Sequence, residues 1–243
     1  MARPWRRIGM LIPSSNTSVE RDYPAFMPPN LSFHFARLTM TRLDAAGMQE
    51  QLADLRRASA SLADARVDAV LLCQTAASYW LGRAWDAQIR QEMQGWCHGA
   101  PAFTAAQTVL DALAALGVTR VGFAAPFPAE IAAASLDYLA ACGLATVATR
   151  FGGFRDNFAI AEMSPAAIIE LACGADHPEA QAVLMPGGNM PCLGVAQAIE
   201  ARLGKPIVTT NQAGMWALLR HFGETAPIAG VGRLLGELPA PIP

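Results

Sequence analysis

The chain has 243 residues, of which 53% are hydrophobic and 16% are charged, and its formal net charge at pH 7 is −2. This composition is typical of a globular protein and excludes an extended disordered chain. The near-neutral charge gives no electrostatic reason to expect a nucleic-acid partner. No apolar run reaches the length that a membrane span requires, so we expect no membrane partner.

In chain order, short apolar runs alternate with Ala- and Leu-rich helical stretches. Such alternation predicts a mostly parallel sheet with helices packed against it. The first half predicts strands at 7–12, 32–37, 67–72 and 101–104, with helices at 46–65 and 106–116. The second half predicts strands at 119–125, 145–150, 181–186 and 206–210, with helices at 128–142, 165–174, 193–203 and 212–222. The Pro-rich tail 235–243 is predicted to be irregular.

The two halves repeat the same pattern. Residues 7–13 (RIGMLIP) return as residues 120–126 (RVGFAAP), and residues 68–72 (DAVLL) return as residues 181–185 (QAVLM). Two homologous α/β lobes usually bind a small ligand between them, at the carboxyl ends of their strands. The repeat therefore predicts where the functional site lies before any catalytic residue is named.

The predicted fold is α/β, with two pseudo-symmetric flavodoxin-like lobes. Each lobe is a mostly four-stranded parallel sheet flanked by helices, with the active site between the lobes. We place the first lobe at residues 1–115, with the C-terminal segment 212–243 packing back on it. The second lobe covers residues 116–211.

The five cysteines are odd in number and lack any C-x-x-C spacing. This pattern is typical of reduced thiols and favours neither a disulfide framework nor a zinc site. The four histidines are scattered, so we expect no metal site. Polar residues at 13–16 interrupt the apolar stretch after the first arginines, which argues against a signal peptide. We expect a cytoplasmic protein.

The first candidate loop follows the first strand and contains Ser14 and Asn16. Thr17 and Glu20 have the spacing of a capping box, which predicts that a helix begins here. Hydroxyl, amide and free backbone N–H groups at a helix N-terminus could hold a carboxylate or a phosphate. Ordinary N-capping by the same residues is the alternative.

Two further loops follow the buried strands at 67–72 and 181–186. The first is residues 73–78, with Cys73, Gln74 and Thr75, and the second is residues 186–192, with Gly187, Gly188 and Cys192. If the lobes face each other, these loops approach one ligand from opposite sides. Paired thiols there could act as acid and base, or one could add covalently. The alternative is that both cysteines are buried as small hydrophobic residues.

These loops resemble the aspartate/glutamate racemase superfamily, and within it the branch of maleate cis-trans isomerases and arylmalonate decarboxylases. The segments that carry the resemblance are residues 12–20 (IPSSNTSVE), 156–157 (DN), 189–191 (NMP), 204–208 (GKPIV) and 230–235 (GVGRLL). The similarity extends over essentially the whole chain.

The resemblance implies a cofactor-free enzyme that acts on a small carboxylate, and we expect a homo-oligomer. In maleate isomerases of this branch one cysteine adds to the double bond and a second assists. The decarboxylases keep one cysteine, which protonates a carbanion. Asn16 and Asn157 match amide positions that bind substrate in the isomerases.

This chain departs from the family pattern at both thiol positions. Aligned without gaps, the first catalytic cysteine position falls on Gln74, one residue after Cys73. The second falls on Gly187, five residues before Cys192. Phe127 stands where isomerases commonly have a tyrosine.

Three hypotheses follow. Cys73 and Cys192 perform the thiol chemistry of a dicarboxylate isomerase, such as conversion of maleate to fumarate. Alternatively, Gln74 and the amides near Gly187 hold the ligand while another group does acid-base work, as in a decarboxylase or racemase. In the third, the protein binds a small carboxylate without turnover. The predicted substrate-binding residues are Ser14, Asn16, Gln74, Thr75, Phe127, Asn157, Gly187 and Gly188.

Overall fold

The structure is a computed structural model that describes residues 5–40 and 44–241. Within these residues the strands form two separate four-stranded sheets, and every strand pair in them is parallel. The strands are β1 (Arg6–Pro13), β2 (Leu31–Leu38), β3 (Ala69–Leu72), β4 (Ala102–Thr104), β5 (Arg120–Ala125), β6 (Ala145–Phe151), β7 (Ala182–Met185) and β8 (Ile207–Thr209).

The helices fill the connections between these strands, and one short 3-10 turn precedes the eighth helix. They are α1 (Val19–Phe26), α2 (Ala45–Asp64), α3 (Ala76–Trp96), α4 (Ala105–Ala115), α5 (Ala129–Ala141), α6 (Asn157–Ala161), α7 (Pro165–Cys173), α8 (Ala196–Leu203), α9 (Thr210–His221) and α10 (Arg233–Glu237).

The two sheets have the same topology. Their strand orders are β2-β1-β3-β4 and β6-β5-β7-β8, so the second sheet repeats the first with each strand four positions later in the chain. This order places β1 and β3 in the centre of one sheet, and β5 and β7 in the centre of the other. The prediction of two pseudo-symmetric α/β lobes with parallel sheets is confirmed.

The predicted strands all form, with bounds that differ by at most a few residues from the observed ones. The sequence patterns did not predict α3, the longest helix, whose first residues lie in the segment predicted as the second loop. The tail is also more ordered than predicted, because α10 extends to Glu237. Residues 242–243 of that predicted tail lie outside the described residues.

One apolar core is shared by both lobes. A single cluster of buried side chains includes Ile8 and Leu71 from the first sheet together with Phe123 and Leu184 from the second. The helices α4 and α9, which follow the equivalent strands β4 and β8, pack against each other across this core. The lobes are therefore joined by hydrophobic packing as well as by the chain.

Helix α9 belongs in sequence to the end of the second half, yet it contacts α1 and α4, and α10 packs on α9. On this basis we keep as a proposal the division into a first lobe of residues 1–115, with 212–243 returning to it, and a second lobe of residues 116–211. Within the described residues, no helix combines the length and the apolar character that crossing a bilayer demands.

Candidate active site

A cavity of 280 Å³ lies where the carboxyl ends of the central strands of both sheets meet. Residues of both lobes form its wall. They are Pro13, Asn16, Met40, Asp44, Met48, Cys73, Gln74, Thr75, Ala76, Tyr79, Trp80, Phe127, Glu130, Ile131, Ala134, Ser135, Asn157, Ile160, Gly187, Gly188 and Asn189. Open parallel α/β sheets usually bind their ligands here, beyond the carboxyl ends of the central strands.

The structure brings most of the sequence-predicted site residues to this one cavity. Those that line it are Asn16, Cys73, Gln74, Thr75, Phe127, Asn157, Gly187 and Gly188. Ser14 and Cys192 are not among the lining residues. Ser14 lies just behind the wall, where its Oγ accepts a hydrogen bond from the Met40 amide at 2.9 Å.

The first loop is organised by asparagine side chains, and the expected capping box is wrong. Helix α1 begins at Val19, its N-cap Ser18 makes no side-chain capping bond, and Glu20 pairs with Arg37 instead. The Oδ1 atom of Asn16 accepts from the amides of Ser18 and Val19 at 3.1 and 3.0 Å. These amides satisfy their hydrogen bonds within the protein, as N-terminal helix amides must when they are buried.

The side chain of Asn189 occupies a further first-loop amide and shares a second. The Oδ1 atom of Asn189, from the loop after β7, accepts from the Thr17 amide at 2.8 Å and from the Ser18 amide at 3.2 Å. The amides of Thr17, Ser18 and Val19 are therefore not the free N–H groups that we expected at this helix N-terminus.

Gln74 at the N-terminus of α3 supplies such a donor. Its side chain is 6% exposed, and its Oε1 accepts from the Ala77 amide at 3.2 Å. Its Nε2 is buried and has no hydrogen-bond partner among the described residues. Leaving a buried donor unpaired costs about 1–3 kcal/mol of folding free energy. An acceptor on a ligand could pair with this N–H group and recover that energy. Thr75, the N-cap of α3, makes no side-chain capping bond.

The Gly187-Gly188 loop approaches the Gln74 loop from the second lobe. The Gly187 amide donates to Thr210 Oγ1 at 3.2 Å, and the Gly188 carbonyl accepts from Asn211 Nδ2 at 3.1 Å. A Cβ atom added at Gly188 would lie 3.4 Å from the Cys73 carbonyl oxygen. The two loops predicted to face one ligand therefore do meet at the same place.

The Cys73 thiol lies at the boundary between the cavity and the shared core. Cys73 lines the cavity but is 3% exposed, and its Sγ donates weakly to the Leu71 carbonyl at 3.4 Å. It packs in the same apolar cluster as Leu71 and Tyr23. Burial raises the pKa of the Cys73 thiol well above its usual range, which favours the protonated form.

The Cys192 thiol lies in a different environment. It is 3% exposed and packs in an apolar cluster confined to the second lobe, with Met190 and Ile160 among its members. Burial, together with the nearby Asp22 carboxylate, raises the pKa of this thiol as well. The loop carrying Cys192 does not bend the thiol back into the cavity, which was the path that the sequence left open.

Apolar side chains form the outer part of the cavity wall. Trp80 is 43% exposed at the wall, and Phe127 and Ile131 are half-buried there. Tyr79, from the first turns of α3, is buried against Tyr138, with ring centroids 5.0 Å apart. Burial raises the pKa of the Tyr79 phenol. The cavity thus has a polar part near the strand ends and an apolar part between α3 and α5.

The described cavity wall contains no lysine, arginine or histidine. Its acidic members are Asp44, which caps α2 through the Gly47 amide at 3.0 Å, and Glu130, which pairs with Arg155. In the part of the chain that the structure describes, no three His, Cys, Asp or Glu side chains are grouped so as to hold a metal ion. The hydrogen-bond donors that the described wall residues offer are therefore neutral.

The sequence predictions missed several wall residues. Asn189, which the sequence presented only as part of a family segment, reaches both lobes with its side chain. Tyr79, Trp80, Glu130 and Ser135 come from the faces of α3 and α5 that point toward the cavity. The sequence could have indicated these residues only through their position, within two helical turns after a predicted strand-end loop. For α3 even that was missing, because the helix itself was not predicted.

Comparisons with known proteins agree with this architecture. A family model described as arylmalonate decarboxylase matches residues 8–235. A maleate isomerase from Pseudomonas putida is 27% identical over 241 residues, which cover 94% of this chain and 96% of that protein. An arylmalonate decarboxylase from Bordetella bronchiseptica is 28% identical over 233 residues, covering 95% and 96%.

Among solved structures, a maleate cis-trans isomerase from Nocardia farcinica, with a covalently bound succinylcysteine intermediate, has a TM-score of 0.91. It is 26% identical to this chain, with coverage of 96% of this chain and 98% of that one. The match of the family model over nearly the full length decides the assignment. The chain belongs to the arylmalonate decarboxylase family, in the maleate isomerase and arylmalonate decarboxylase branch of the aspartate/glutamate racemase superfamily.

Proposed function

We propose that this protein is a cofactor-independent enzyme that interconverts the cis and trans forms of a small dicarboxylate, as in the conversion of maleate to fumarate. Four of its curated relatives are maleate isomerases that match it over nearly their whole length. The single observation that carries the proposal is the inter-lobe cavity, which collects neutral hydrogen-bond donors from both lobes at the ends of the central strands.

The carboxylates of the substrate would bind to these donors. Gln74 offers its unpaired Nε2 from the first lobe. Backbone amides at Thr75 and Ala76 lie at the N-terminus of α3, where the helix dipole favours an anion. The side-chain amides of Asn16 and Asn157 and the Gly188 backbone amide complete the proposed donor set, while Gly187, whose amide bonds to Thr210, shapes the wall beside them. Phe127 would contact the carbon skeleton.

We assign the covalent step to Cys73, because it is the one cysteine among the described wall residues. Its thiol would pass its proton to a carboxylate of the bound substrate, add through sulfur to one alkene carbon, and recover that proton when the sulfur leaves. The electron pair of the double bond would move onto the neighbouring carboxylate as an enolate, held by the amide donors. Rotation about the new single bond and loss of the thiolate then give the trans alkene. A second thiol role for Cys192 would require its loop to move.

The first experiment is proton NMR of the purified protein with maleate in D₂O. We expect the maleate signal to convert to the fumarate signal at a rate proportional to protein concentration. The same measurement on Cys73→Ser should show no conversion, and Cys173→Ser, at the end of α7 and outside the described cavity wall, should behave as the unmodified protein. Absence of conversion by the unmodified protein would overturn the proposal.

A second candidate function is decarboxylation next to a carboxylate. The specific observation in its favour is the burial of Cys73, which keeps the thiol protonated. A neutral thiol is a better proton donor to a carbanion than a nucleophile. An arylmalonate in D₂O would then lose one carboxyl group and gain one deuterium at the adjacent carbon. Binding of these acids with no change in any of them would instead indicate a carboxylate-binding protein.

We also propose that the protein is a cytoplasmic homo-oligomer. The five cysteines are free thiols in the structure, as expected in a reducing compartment. Trp80, Leu81 and Phe158 are exposed apolar side chains that a second subunit could cover. Light scattering after size-exclusion chromatography would give the mass of the assembly, and a mass of one chain would contradict the oligomer.

A further inference from the structure

Asn189 makes more inter-lobe hydrogen bonds than any other side chain in the described cavity wall. It lies in the loop after β7 of the second lobe and is 3% exposed. Its side chain and carbonyl bond to Ser15, Thr17 and Ser18 of the first lobe. Its position in sequence gave no indication of this role.

The oxygen of the Asn189 amide occupies the N-terminus of α1. Its Oδ1 accepts from the Thr17 and Ser18 amides at 2.8 and 3.2 Å. Helix N-termini attract anions because their amides are unpaired and the helix dipole is positive there. A neutral amide oxygen therefore fills the place at these two amides that an anion would otherwise take.

The nitrogen of the same amide donates to a carbonyl in each lobe. Its Nδ2 donates to the Asn157 carbonyl at 2.8 Å and to the Ser15 carbonyl at 3.4 Å. Asn157 in turn donates from its Nδ2 to Ser15 Oγ at 2.9 Å. The three residues form a closed set of contacts that fixes α6 of the second lobe against the loop after β1 of the first.

From these contacts we infer that Asn189 is a positioning residue, which sets the distance and orientation between the amides of Asn16 and Asn157 across the cavity. Both asparagines line the cavity, one on each side of the contact. Asn189 acts through them and needs no contact with the reacting atoms. This role of Asn189 rests on the proposed function in one respect: maleate is the substrate with which turnover is measured.

The Asn189→Asp substitution tests the role of the amide nitrogen separately from that of the amide oxygen. It keeps the acceptor for the Thr17 and Ser18 amides but replaces the donor to the Asn157 carbonyl with a second oxygen. An ionised carboxylate there repels that carbonyl, whereas a protonated one can donate to it. The expected result is a loss of kcat/KM for maleate of about 100-fold at pH 8, because small misplacements of binding groups cost about that much.

Acidification should restore part of the Asn189→Asp activity, and the unmodified protein should show no corresponding gain. Cys73, Asp44 and Glu130 also line the cavity, and Asp22 lies behind the Gly188 loop through Asn211. These groups are present in both proteins, so the ratio of the two pH profiles isolates the new carboxyl group. A ratio that does not change with pH would overturn the inference.

Gln181→Ala is the control that separates a loss of protein stability from a loss of positioning in Asn189→Asp. The Gln181 Oε1 accepts from the Thr119 and Arg120 amides and from the Thr119 hydroxyl, at the opposite end of the second sheet from the cavity. We expect this variant to lower the free energy of unfolding while leaving kcat and KM for maleate unchanged. Equal losses of activity in Gln181→Ala and Asn189→Asp would show that Asn189 is only structural.

Amide hydrogen exchange tests the inference without any substrate. In Asn189→Ala the amide of Thr17 loses its acceptor, so we expect it to exchange at least about tenfold faster, whereas the Ser18 amide keeps Asn16 Oδ1 as an acceptor. Exchange at β1 should not change. If the unmodified protein fails to convert maleate, the proposed function falls while this measurement still decides the role of Asn189. Unchanged exchange at Thr17 would overturn it.

Discussion

At the scale of single residues, Gln74 combines a helix-capping oxygen with a hydrogen-bond donor at the cavity wall. The Gln74 Oε1 caps α3, which leaves the buried Nε2 without an acceptor among the described residues. A donor left unpaired in the folded protein gains its hydrogen bond only when a ligand brings the acceptor. We therefore expect ligand affinity to depend most directly on Gln74.

We predict that Gln74→Glu weakens maleate binding by at least about tenfold, because the donor becomes a charged acceptor facing a carboxylate. Titration calorimetry with maleate measures the dissociation constant. Gln74→Glu keeps the acceptor that caps α3, so the free energy of unfolding should change little.

Gln107→Glu is the matched control for this substitution. The Gln107 Nε2 bonds to Asp111 on the surface of α4, away from the cavity wall. The same chemical change there should leave the maleate affinity unaltered. Unchanged affinity in Gln74→Glu would remove Gln74 from the binding site.

The residues of the site were only partly predictable from the sequence. Asn16, Gln74 and Gly188 follow directly from the ends of central strands, and short strand-end loops allow few alternative paths. Ser14 was predicted to line the site but lies behind the wall, whereas Asn189 was not predicted and bonds across the lobes. The sequence does not show which side chain crosses between the lobes. Cys192 was unpredictable for the same reason: a loop path decides whether a thiol faces a cavity or an apolar cluster.

At the scale of elements, α3 connects the cavity to the surface of the first lobe. Its first turns carry Tyr79 and Trp80, and the helix is interrupted at Gly82, whose φ of 86° and ψ of 177° are nearly exclusive to glycine. This interruption explains why no helix was predicted here, because the apolar period before Gly82 does not continue in phase after it. The strands were easier to predict, since each is a short β-branched or apolar run that a proline or polar residue ends.

We predict that Gly82→Ala destabilises the protein by about 1–3 kcal/mol, because a Cβ atom strains this backbone conformation even though no other atom lies within 4 Å of it. Relief of the strain would straighten the first turns of α3, so maleate binding should also weaken. Denaturant unfolding and calorimetry measure the two effects.

Gly95→Ala in the same helix is the control for Gly82→Ala. Gly95 has helical backbone angles, and a Cβ atom there also meets nothing within 4 Å. The substitution should stabilise the protein by about 0.5–1 kcal/mol and leave binding unchanged. If both substitutions raise the stability, the interruption at Gly82 is not a strained feature of the fold.

At the scale of the whole molecule, the repeated sequence predicts two lobes but not how strongly they are coupled. The shared apolar cluster contains central-strand residues of both sheets, and α9 returns from the second half to α1 and α4. A site built between two lobes needs this coupling, because donors on opposite walls must hold a fixed separation. We therefore expect the lobes to unfold as one cooperative unit.

Phe123→Ala tests this coupling. Phe123 is fully buried in β5 of the second lobe and belongs to the shared cluster. Its removal should cost about 3–5 kcal/mol. Hydrogen exchange should then show equal loss of protection in β1 of the first lobe and β7 of the second, whereas Thr149→Ala, an exposed neighbour of Phe123 on β6, should leave both unchanged. Loss of protection confined to β7 would mean that the lobes unfold independently, and the separation of the cavity walls would then have to be set by the ligand.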